Sequence, residues 1–284
     1  MFFRYNVSMF FLTRVLLAIG GILSLVGCAS QSTPLRFATT TSTYDSGLIS
    51  EILNDFEHET GVQVDEIIVG TGQALQLGRD GNVDVLLVHA PVAEREFVAD
   101  GFGIERIPLM YNDFIIVGPV ADPAGVRDAK NAAEAFTNLY RTQTGFASRG
   151  DQSGTYQREL EIWAEAGFAP DPLLDWYASL GQGQGAMLTY ANETNAYALV
   201  DRGTFLARKD ALPQLDILFG GATPIDNPDP ALRNEYSLIP VVNPRAEPTD
   251  VQIFLDWMDK AETRAFITAF GVEAYGQPLF YLFP

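Results

Sequence analysis

Residues 35–48 have the sequence LRFATTTSTYDSGL, and this stretch decides the fold. Its first six residues, 35–40, are typical of a strand, and the polar residues 41–47 predict a turn. Apolar side chains then recur at helical spacing over residues 46–60, and Gly61 ends that helix. The chain therefore opens with a strand, a polar turn and a helix.

The same alternation continues along the chain. Further strands are predicted at residues 62–69, 83–88, 115–119, 145–148, 196–200, 215–219 and 236–242. Further helices are predicted at residues 73–78, 93–100, 129–141, 153–166, 183–193 and, in more than one piece, 249–270. The pattern predicts an α/β fold with mainly parallel sheets, because strands and helices alternate. Because the alternation breaks after 115–119 and starts again, we expect two lobes with a ligand cleft between them.

The lobe boundaries follow from these breaks. We expect lobe 1 to comprise residues 35–115 plus 240–284, and lobe 2 to comprise residues 116–239. In open α/β sheets, ligands bind beyond the carboxyl ends of the strands. The turns that follow the strands are therefore the place to look for a site.

Composition excludes several classes of protein. The 284 residues include 18 basic and 36 acidic side chains, a net charge of −18. This acidity argues against binding to nucleic-acid phosphates, which requires clustered Lys and Arg. The single Cys excludes a disulfide framework within the chain and a zinc site made of several cysteines. With His58 and His89 as the only histidines, little material remains for a cation site, and no cofactor is expected.

Residues 1–28 are typical of a bacterial lipoprotein signal peptide. They contain two Arg, no acidic residue and an apolar run at 15–26 that is shorter than the ~20 residues needed to span a bilayer. The sequence LVGC at 25–28 resembles a lipobox, so we expect Cys28 to be lipidated. An ordinary signal peptide with an incidental Cys is the alternative, and translation starts at Met1 or Met9.

The small, polar residues 29–34 predict a short tether. Cleavage before Cys28 leaves 16 basic and 36 acidic side chains, a charge of −20. We expect the folded part to begin near Leu35, on the periplasmic or extracellular side of a membrane to which the lipid anchors it.

Three turns after predicted strands combine hydroxyl groups with glycines. They are 39–43 (TTTST), 70–72 (GTG) and 148–155 (SRGDQSGT). The turns stand at predicted helix N-termini, where four backbone N–H groups lack partners and an oxyanion binds readily. The alternative for Ser42 and Ser153 is a helix cap, since Ser is a preferred N-cap in any protein. Arg149 predicts a bidentate anion contact, and its alternative is an ion pair with Asp151.

These blocks together resemble a known family. The segments 39–48, 69–75, 83–90, 148–155 and 201–204 resemble, in the same order, motifs of the TupA family, the tungstate-binding components of bacterial ABC transporters. Residues 181–185 (GQGQG) depart from the family, in which a Gly-rich loop containing Met is expected. We interpret this stretch as a flexible loop.

The resemblance implies a type II periplasmic-binding-protein fold whose lobes close on tungstate or molybdate. It implies ligand contacts from seven residues: Thr40, Thr41, Ser42, Thr71, Arg149, Ser153 and Thr155. It also implies partners, an ABC permease and its ATPase, to which a monomeric binding protein delivers the ion. No enzymatic activity is expected.

Other functions remain open from the residues. Phosphate is the nearest rival ligand, since a turn with Arg followed by Ser-Gly-Thr also occurs in phosphate-binding relatives. An extracytoplasmic sensor could use the same fold. An anion-processing enzyme would need a nucleophile with a positioned base. His89 follows a buried strand, but no nucleophile or metal-ligand motif accompanies it, and we interpret it as structural or as a support for residues that contact the ligand.

Overall fold

The structure, a computed structural model, describes residues 33–151 and 153–283. The predicted signal peptide, the lipidation site Cys28 and most of the tether lie outside these residues. Within the described ranges, none of the helices has the length and apolar character needed to cross a membrane.

Strands and helices alternate as predicted. The elements of the first part are β1 (Leu35–Thr39), α1 (Thr41–Asp45), α2 (Leu48–Thr60), β2 (Val64–Ile68), α3 (Thr71–Arg79), β3 (Val85–Val88), α4 (Pro91–Ala99) and β4 (Ile107–Pro119). Those of the middle part are α5 (Ala132–Thr142), β5 (Phe146–Ser148), α6 (Gly154–Glu165), β6 (Tyr177–Ser179), α7 (Gln184–Thr194), β7 (Ala198–Asp201), α8 (Arg202–Arg208) and β8 (Leu215–Phe219). The last part contains β9 (Arg233–Pro240), α9 (Pro248–Met258), α10 (Ala261–Ala269), α11 (Val272–Tyr275) and β10 (Tyr281–Leu282).

The predicted α/β fold is confirmed, with parallel strands where the hydroxyl turns begin. In the larger sheet the strand order is β10-β4-β9-β3-β1-β2, and β1 pairs with β2 and β3 in parallel. β5 and β6 are also parallel. The sheet additionally contains antiparallel pairs, because β9 runs back between β3 and β4.

The long strand β4 belongs to both halves of the molecule. Its first half, up to Asp113, pairs with β9, whereas its second half, from Phe114, pairs with β7 and β8. The sequence prediction placed only the apolar second half in a strand, because the polar residues Asn112 and Asp113 interrupt the pattern. We propose lobe boundaries near 113 and 233, since β9 pairs with strands of lobe 1 from its first residue.

Apolar side chains cover both faces of each sheet. In lobe 1, Phe37 packs with α2 and α9 on one face, while Ala38 packs with α3 and α4 on the other. In lobe 2, Phe114 and Ile115 alternate in the same way between two clusters. Successive side chains of a strand point to opposite faces of the sheet, and helices cover both faces here. The strands are therefore nearly continuous apolar runs. Each lobe is a sheet between helical layers.

Two local expectations were wrong. Residues 41–45 form the short helix α1 instead of an open turn. The GQGQG stretch is not a flexible loop throughout, because Gln184 begins α7 and is buried. In both places the polar composition suggested a loop, whereas the side chains of Thr43 and Gln184 make hydrogen bonds that tie these stretches to neighbouring segments.

A buried ion pair joins the lobes' connecting strand to lobe 2. Arg202 donates from Nε and Nη2 to the Asp113 carboxylate, at 2.7 and 2.6 Å, and both side chains are fully buried. The remaining donors of Arg202 reach the carbonyl oxygens of Gly220, Gly221 and Ala222. A buried guanidinium with all its donors used in this way holds β4, α8 and the segment after β8 together.

Replacing Arg202 by Met is expected to lower the free energy of unfolding by about 3–5 kcal/mol, because the Asp113 carboxylate is left buried without its partner. Urea unfolding followed by circular dichroism measures this loss. Arg127→Met is the matched control, since the Arg127–Asp216 pair is exposed and such pairs contribute less than about 1 kcal/mol. Equal losses in the two variants would contradict the structural role of Arg202.

Candidate functional site

The three parallel strands of lobe 1 bring their following segments to one edge. In the register, Thr39 lies opposite Ile68 of β2 and Leu87 of β3, and the Val69 N–H donates to the Thr39 carbonyl at 3.0 Å. Residues 40–43, 69–71 and 88–90 therefore leave the sheet side by side. This is the edge at which α/β proteins bind ligands.

The run of five hydroxyl residues is divided between structural and available groups. Thr43 Oγ1 lies 2.8 Å from the Thr40 carbonyl and 2.7 Å from Thr39 Oγ1, so these contacts hold the turn. Thr40 is buried, whereas Thr41 is exposed at the start of α1. The side chain of Ser42 lies outside the described part of the structure.

The hydroxyl of Thr71 is buried without a partner. Thr71 is the first residue of α3, it is 4% exposed, and its Oγ1 has no hydrogen-bond partner among the described residues. A buried polar group left unsatisfied costs about 1–3 kcal/mol. A ligand that accepts a hydrogen bond from Thr71 would remove this cost.

Lobe 2 has a corresponding edge. β5 lies beside β6 and is also bridged to Tyr197 just before β7, in parallel. The Leu180 N–H donates to the Ser148 carbonyl at 3.1 Å, and the Gln182 N–H donates to the Arg149 carbonyl at 3.3 Å. The segments 149–155, 180–184 and 201–204 therefore meet at one edge of lobe 2.

In the Arg-containing turn the structure has both the Arg149–Asp151 ion pair and the helix cap by Ser153. Arg149 donates from Nε to Asp151 Oδ2 at 3.0 Å, and Nη2 contacts the same oxygen. Ser153 caps α6, because its Oγ accepts from the Tyr156 N–H at 3.2 Å. Asp151 thereby orients the guanidinium, while Arg149 Nη1 has no partner among the described residues.

Thr155 is held by a residue that the sequence did not single out. The Thr155 side chain is 3% exposed, and its Oγ1 accepts a hydrogen bond from Gln184 Nε2 at 3.1 Å. Gln184 Oε1 accepts in turn from the Asp201 N–H at 3.0 Å. The only signal in the sequence was the position of Gln184 at a predicted helix start.

The two edges face each other across a cleft. A cavity of about 490 Å³ is lined from lobe 1 by Thr41 and Ser46 and from lobe 2 by Arg149, Gln184 and Arg208, among others. Elsewhere in the cleft Gly154 lies against the His89 ring, and a Cβ on Gly154 would come within 2.5 Å of His89 Cε1. A larger residue at position 154 would therefore force the His89 ring to move.

A chain of side-chain hydrogen bonds runs from His89 across the connecting strands. His89 Nδ1 contacts Asn234 Oδ1 at 2.9 Å, Asn234 Nδ2 donates to Asn112 Oδ1 at 2.8 Å, and Asn112 Nδ2 donates to Asp201 Oδ2. Removal from water lowers the pKa of His89 to about 4, and repulsion by Arg149 and Arg158 acts in the same direction. His89 is therefore neutral near pH 7, and its Nδ1–H donates to Asn234 Oδ1.

Burial acts on Asp201 in the opposite direction. It raises the pKa of the Asp201 carboxyl to about 6, although the Thr204 N–H and the Asn112 amide stabilise the charged form. At neutral pH the carboxylate accepts from both groups and caps α8. The sequence did not identify the four hydrogen-bonded residues His89, Asn234, Asn112 and Asp201 as a group, because they come from four separate segments.

The structure thus brings Thr41 and Arg149 to one cavity and leaves Thr40, Thr71 and Thr155 buried at the two edges. Their roles as ligand contacts, with those of Ser42 and Ser153, stay predictions. Across residues 33–151 and 153–283, no group of three or more His, Cys, Asp or Glu side chains could hold a metal cation.

Comparison with known proteins identifies the family. Residues 29–262 match the model of the PBP superfamily domain. The chain is 41% identical to the tungstate-binding protein TupA of Peptoclostridium acidaminophilum, over 91% of this chain and 93% of that protein.

Solved structures agree. The tungstate-binding protein TupA from Desulfovibrio alaskensis G20 is 40% identical, with a TM-score of 0.75 over 88% of this chain and 99% of that one. The tungstate ABC transporter structure from Geobacter sulfurreducens is 46% identical, with a TM-score of 0.67 over 81% and 95%. The chain therefore belongs to the TupA family of the periplasmic-binding-protein (PBP) superfamily.

Proposed function

We propose that this protein is the extracytoplasmic solute-binding component of an ABC importer, which captures tungstate or molybdate and delivers it to the membrane permease. The relatives named above are tungstate-binding proteins, which supports the ligand and agrees with the expectation that the chain is not an enzyme. The proposed contacts are the seven predicted residues Thr40, Thr41, Ser42, Thr71, Arg149, Ser153 and Thr155.

The observation that carries the proposal is the buried hydroxyl of Thr71, which has no hydrogen-bond partner among the residues that the structure describes. It stands at the N-terminus of α3, on the same sheet edge as the turn of Thr40 and Thr41. Arg149 of lobe 2 and Thr41 of lobe 1 line the same cavity. Neutral donors and one guanidinium from two sides are the groups that a small oxyanion requires.

Charge explains why short contacts must supply the affinity. Cleavage at Cys28 gives a chain of −20, which repels an approaching dianion. Transferring an isolated ion out of water costs tens of kcal/mol in a medium of low dielectric constant. Hydrogen bonds to charged groups each contribute about 1.5–3 kcal/mol, so several converging donors offset much of that cost. Uncharged donors also leave no unpaired cations when the lobes open.

The proposed location rests on the N-terminal sequence. Cys28 would carry the lipid that holds the protein at the outer face of a membrane, and residues 29–34 would form the tether. A monomer on such a tether reaches a permease in the same membrane by diffusion. Phosphate remains the rival ligand, with a sensor as the further alternative.

Thermal unfolding with an anion panel tests the ligand class. A ligand that binds only the folded state raises the melting temperature, and the shift grows with affinity. We expect the largest shift for tungstate, then molybdate, with small shifts for sulfate and phosphate. Equal shifts for all four anions would contradict selectivity, and the largest shift with phosphate would favour a phosphate receptor.

Substitution of Arg149 by Ala is expected to weaken tungstate binding by about 1–3 kcal/mol, because one charge-assisted contact is lost. Titration calorimetry measures the change. Arg158→Ala is the matched control, since Arg158 also pairs with a nearby carboxylate but lines a different cavity. An Arg149→Ala variant with unaltered affinity would remove this residue from the site.

Thr71→Val separates binding from stability. Valine keeps the volume and removes the unsatisfied hydroxyl, so we expect weaker tungstate binding with an unchanged or higher free energy of unfolding in the absence of ligand. Thr43→Val is the control, because its hydroxyl is hydrogen-bonded and its loss should destabilise the fold by about 1–3 kcal/mol. Undiminished tungstate affinity in Thr71→Val would argue against a ligand at this hydroxyl.

A further inference from the structure

Gln184 lies buried beside the proposed site although it is not one of the predicted contacts. It is the first residue of α7, it is 8% exposed, and it lines the cavity that Arg149 also lines. Because the neighbours Gly183 and Gly185 have no side chains, the Gln184 amide is the polar side-chain group of residues 183–185. The position of this amide connects two elements of lobe 2.

The orientation of the Gln184 amide follows from its partners. The backbone N–H of Asp201 can only donate, so the oxygen Oε1 must face it, at 3.0 Å. The nitrogen Nε2 therefore faces Thr155 Oγ1, at 3.1 Å, and donates to it. Turning the amide over would place two N–H donors against each other.

This contact determines what the Thr155 hydroxyl can do. Its oxygen accepts from Gln184, so its proton must point to another acceptor. Among the described residues, no hydrogen bond donated by Thr155 Oγ1 is found. The Gln184 contact therefore uses one lone pair of the Thr155 oxygen and leaves its proton available to a ligand.

The anchor of Gln184 is itself tied to the strands that join the lobes. Asp201 Oδ2 accepts from Asn112 of β4, and Asn112 Oδ1 accepts from Asn234 of β9. Each amide in this series has one assignable orientation, because Asp201 is an acceptor at one end. The Asp201 N–H is thereby held in place, and with it Gln184.

We propose that Gln184 is a positioning residue that holds the Thr155 hydroxyl with its proton available to the bound oxyanion. This inference rests on the proposed function, since it takes Thr155 as a ligand contact. Tungstate, molybdate and sulfate present only acceptor oxygens near neutral pH. Hydrogen phosphate carries one proton that needs an acceptor, so a hydroxyl whose proton faces the ligand favours the fully deprotonated oxyanions.

A double-mutant cycle tests the coupling. Gln184→Met keeps the length of the side chain and removes both hydrogen bonds, and Thr155→Val removes the hydroxyl. In titrations with sodium tungstate, we expect Gln184→Met to weaken binding about 5- to 50-fold when Thr155 is present, and by less than about twofold in the Thr155→Val background. Equal fold losses in both backgrounds would overturn the proposal.

The cycle distinguishes this inference from the proposed function. If the wild-type protein binds none of the anions of the panel, the proposed function fails. If wild type binds tungstate but the two losses simply multiply, only the role of Gln184 fails. Gln182→Met is the matched control, because Gln182 lies two residues earlier, is exposed and makes no side-chain hydrogen bond to the described residues. Its tungstate affinity should equal that of wild type.

Gln184→Glu tests the direction of the hydrogen bond. A carboxylate accepts the Thr155 proton and turns the hydroxyl oxygen toward the ligand. Its charge repels tungstate and hydrogen phosphate alike at slightly alkaline pH, where both are dianions. We expect the ratio of tungstate to phosphate affinity to fall at least about tenfold. A purely structural role of Gln184 would weaken the binding of both anions equally. An unchanged affinity ratio would therefore contradict the proposal.

Discussion

The buried polar contacts at the crossing between the lobes are the constraint on which the rest of the structure depends. β4 passes from one sheet to the other at Asn112 and Asp113, where apolar side chains would otherwise be expected. Asp113 is satisfied by Arg202, and Asn112 connects Asn234 with Asp201. Buried polar groups are costly unless every partner is present, so these contacts favour the relative placement of the two sheets that this structure shows. That placement sets the hydroxyl turns of the two lobes opposite each other.

The chemistry of the cleft follows from the same placement. Each lobe contributes the carboxyl ends of parallel strands, where helix N-termini present unpaired N–H groups. Thr71 adds a buried hydroxyl that has no partner in the described part of the chain, and Gln184 leaves Thr155 with a proton to donate. Arg149 supplies one cation, already oriented by Asp151. A strongly acidic protein can in this way present a site of hydrogen-bond donors to an anion.

The sequence predicted most of the elements because strands and helices here have clear periodicity. The strand 215–219 and the helix start after Ser153 are found where they were predicted. The first half of β4 was missed because Asn112 and Asp113 are polar, and only their partners in distant segments explain why they lie in a strand. The polar composition of residues 41–45 predicted a turn. The stretch is a short helix instead, because the side-chain contacts of Thr43 order it.

The sequence by itself determined the α/β class, the hydroxyl-bearing strand ends and the resemblance to a family, because these depend on local pattern and on motif order. Only the tertiary structure decided which hydroxyls are used internally and which are left over. Thr39 and Thr43 bond to each other, while Thr71 has no partner in the described residues. It also decided the role of Gln184, which bonds to residues from two other segments. Hydrogen-bond partners distant in the chain leave no periodic signal, so only the folded arrangement reveals them.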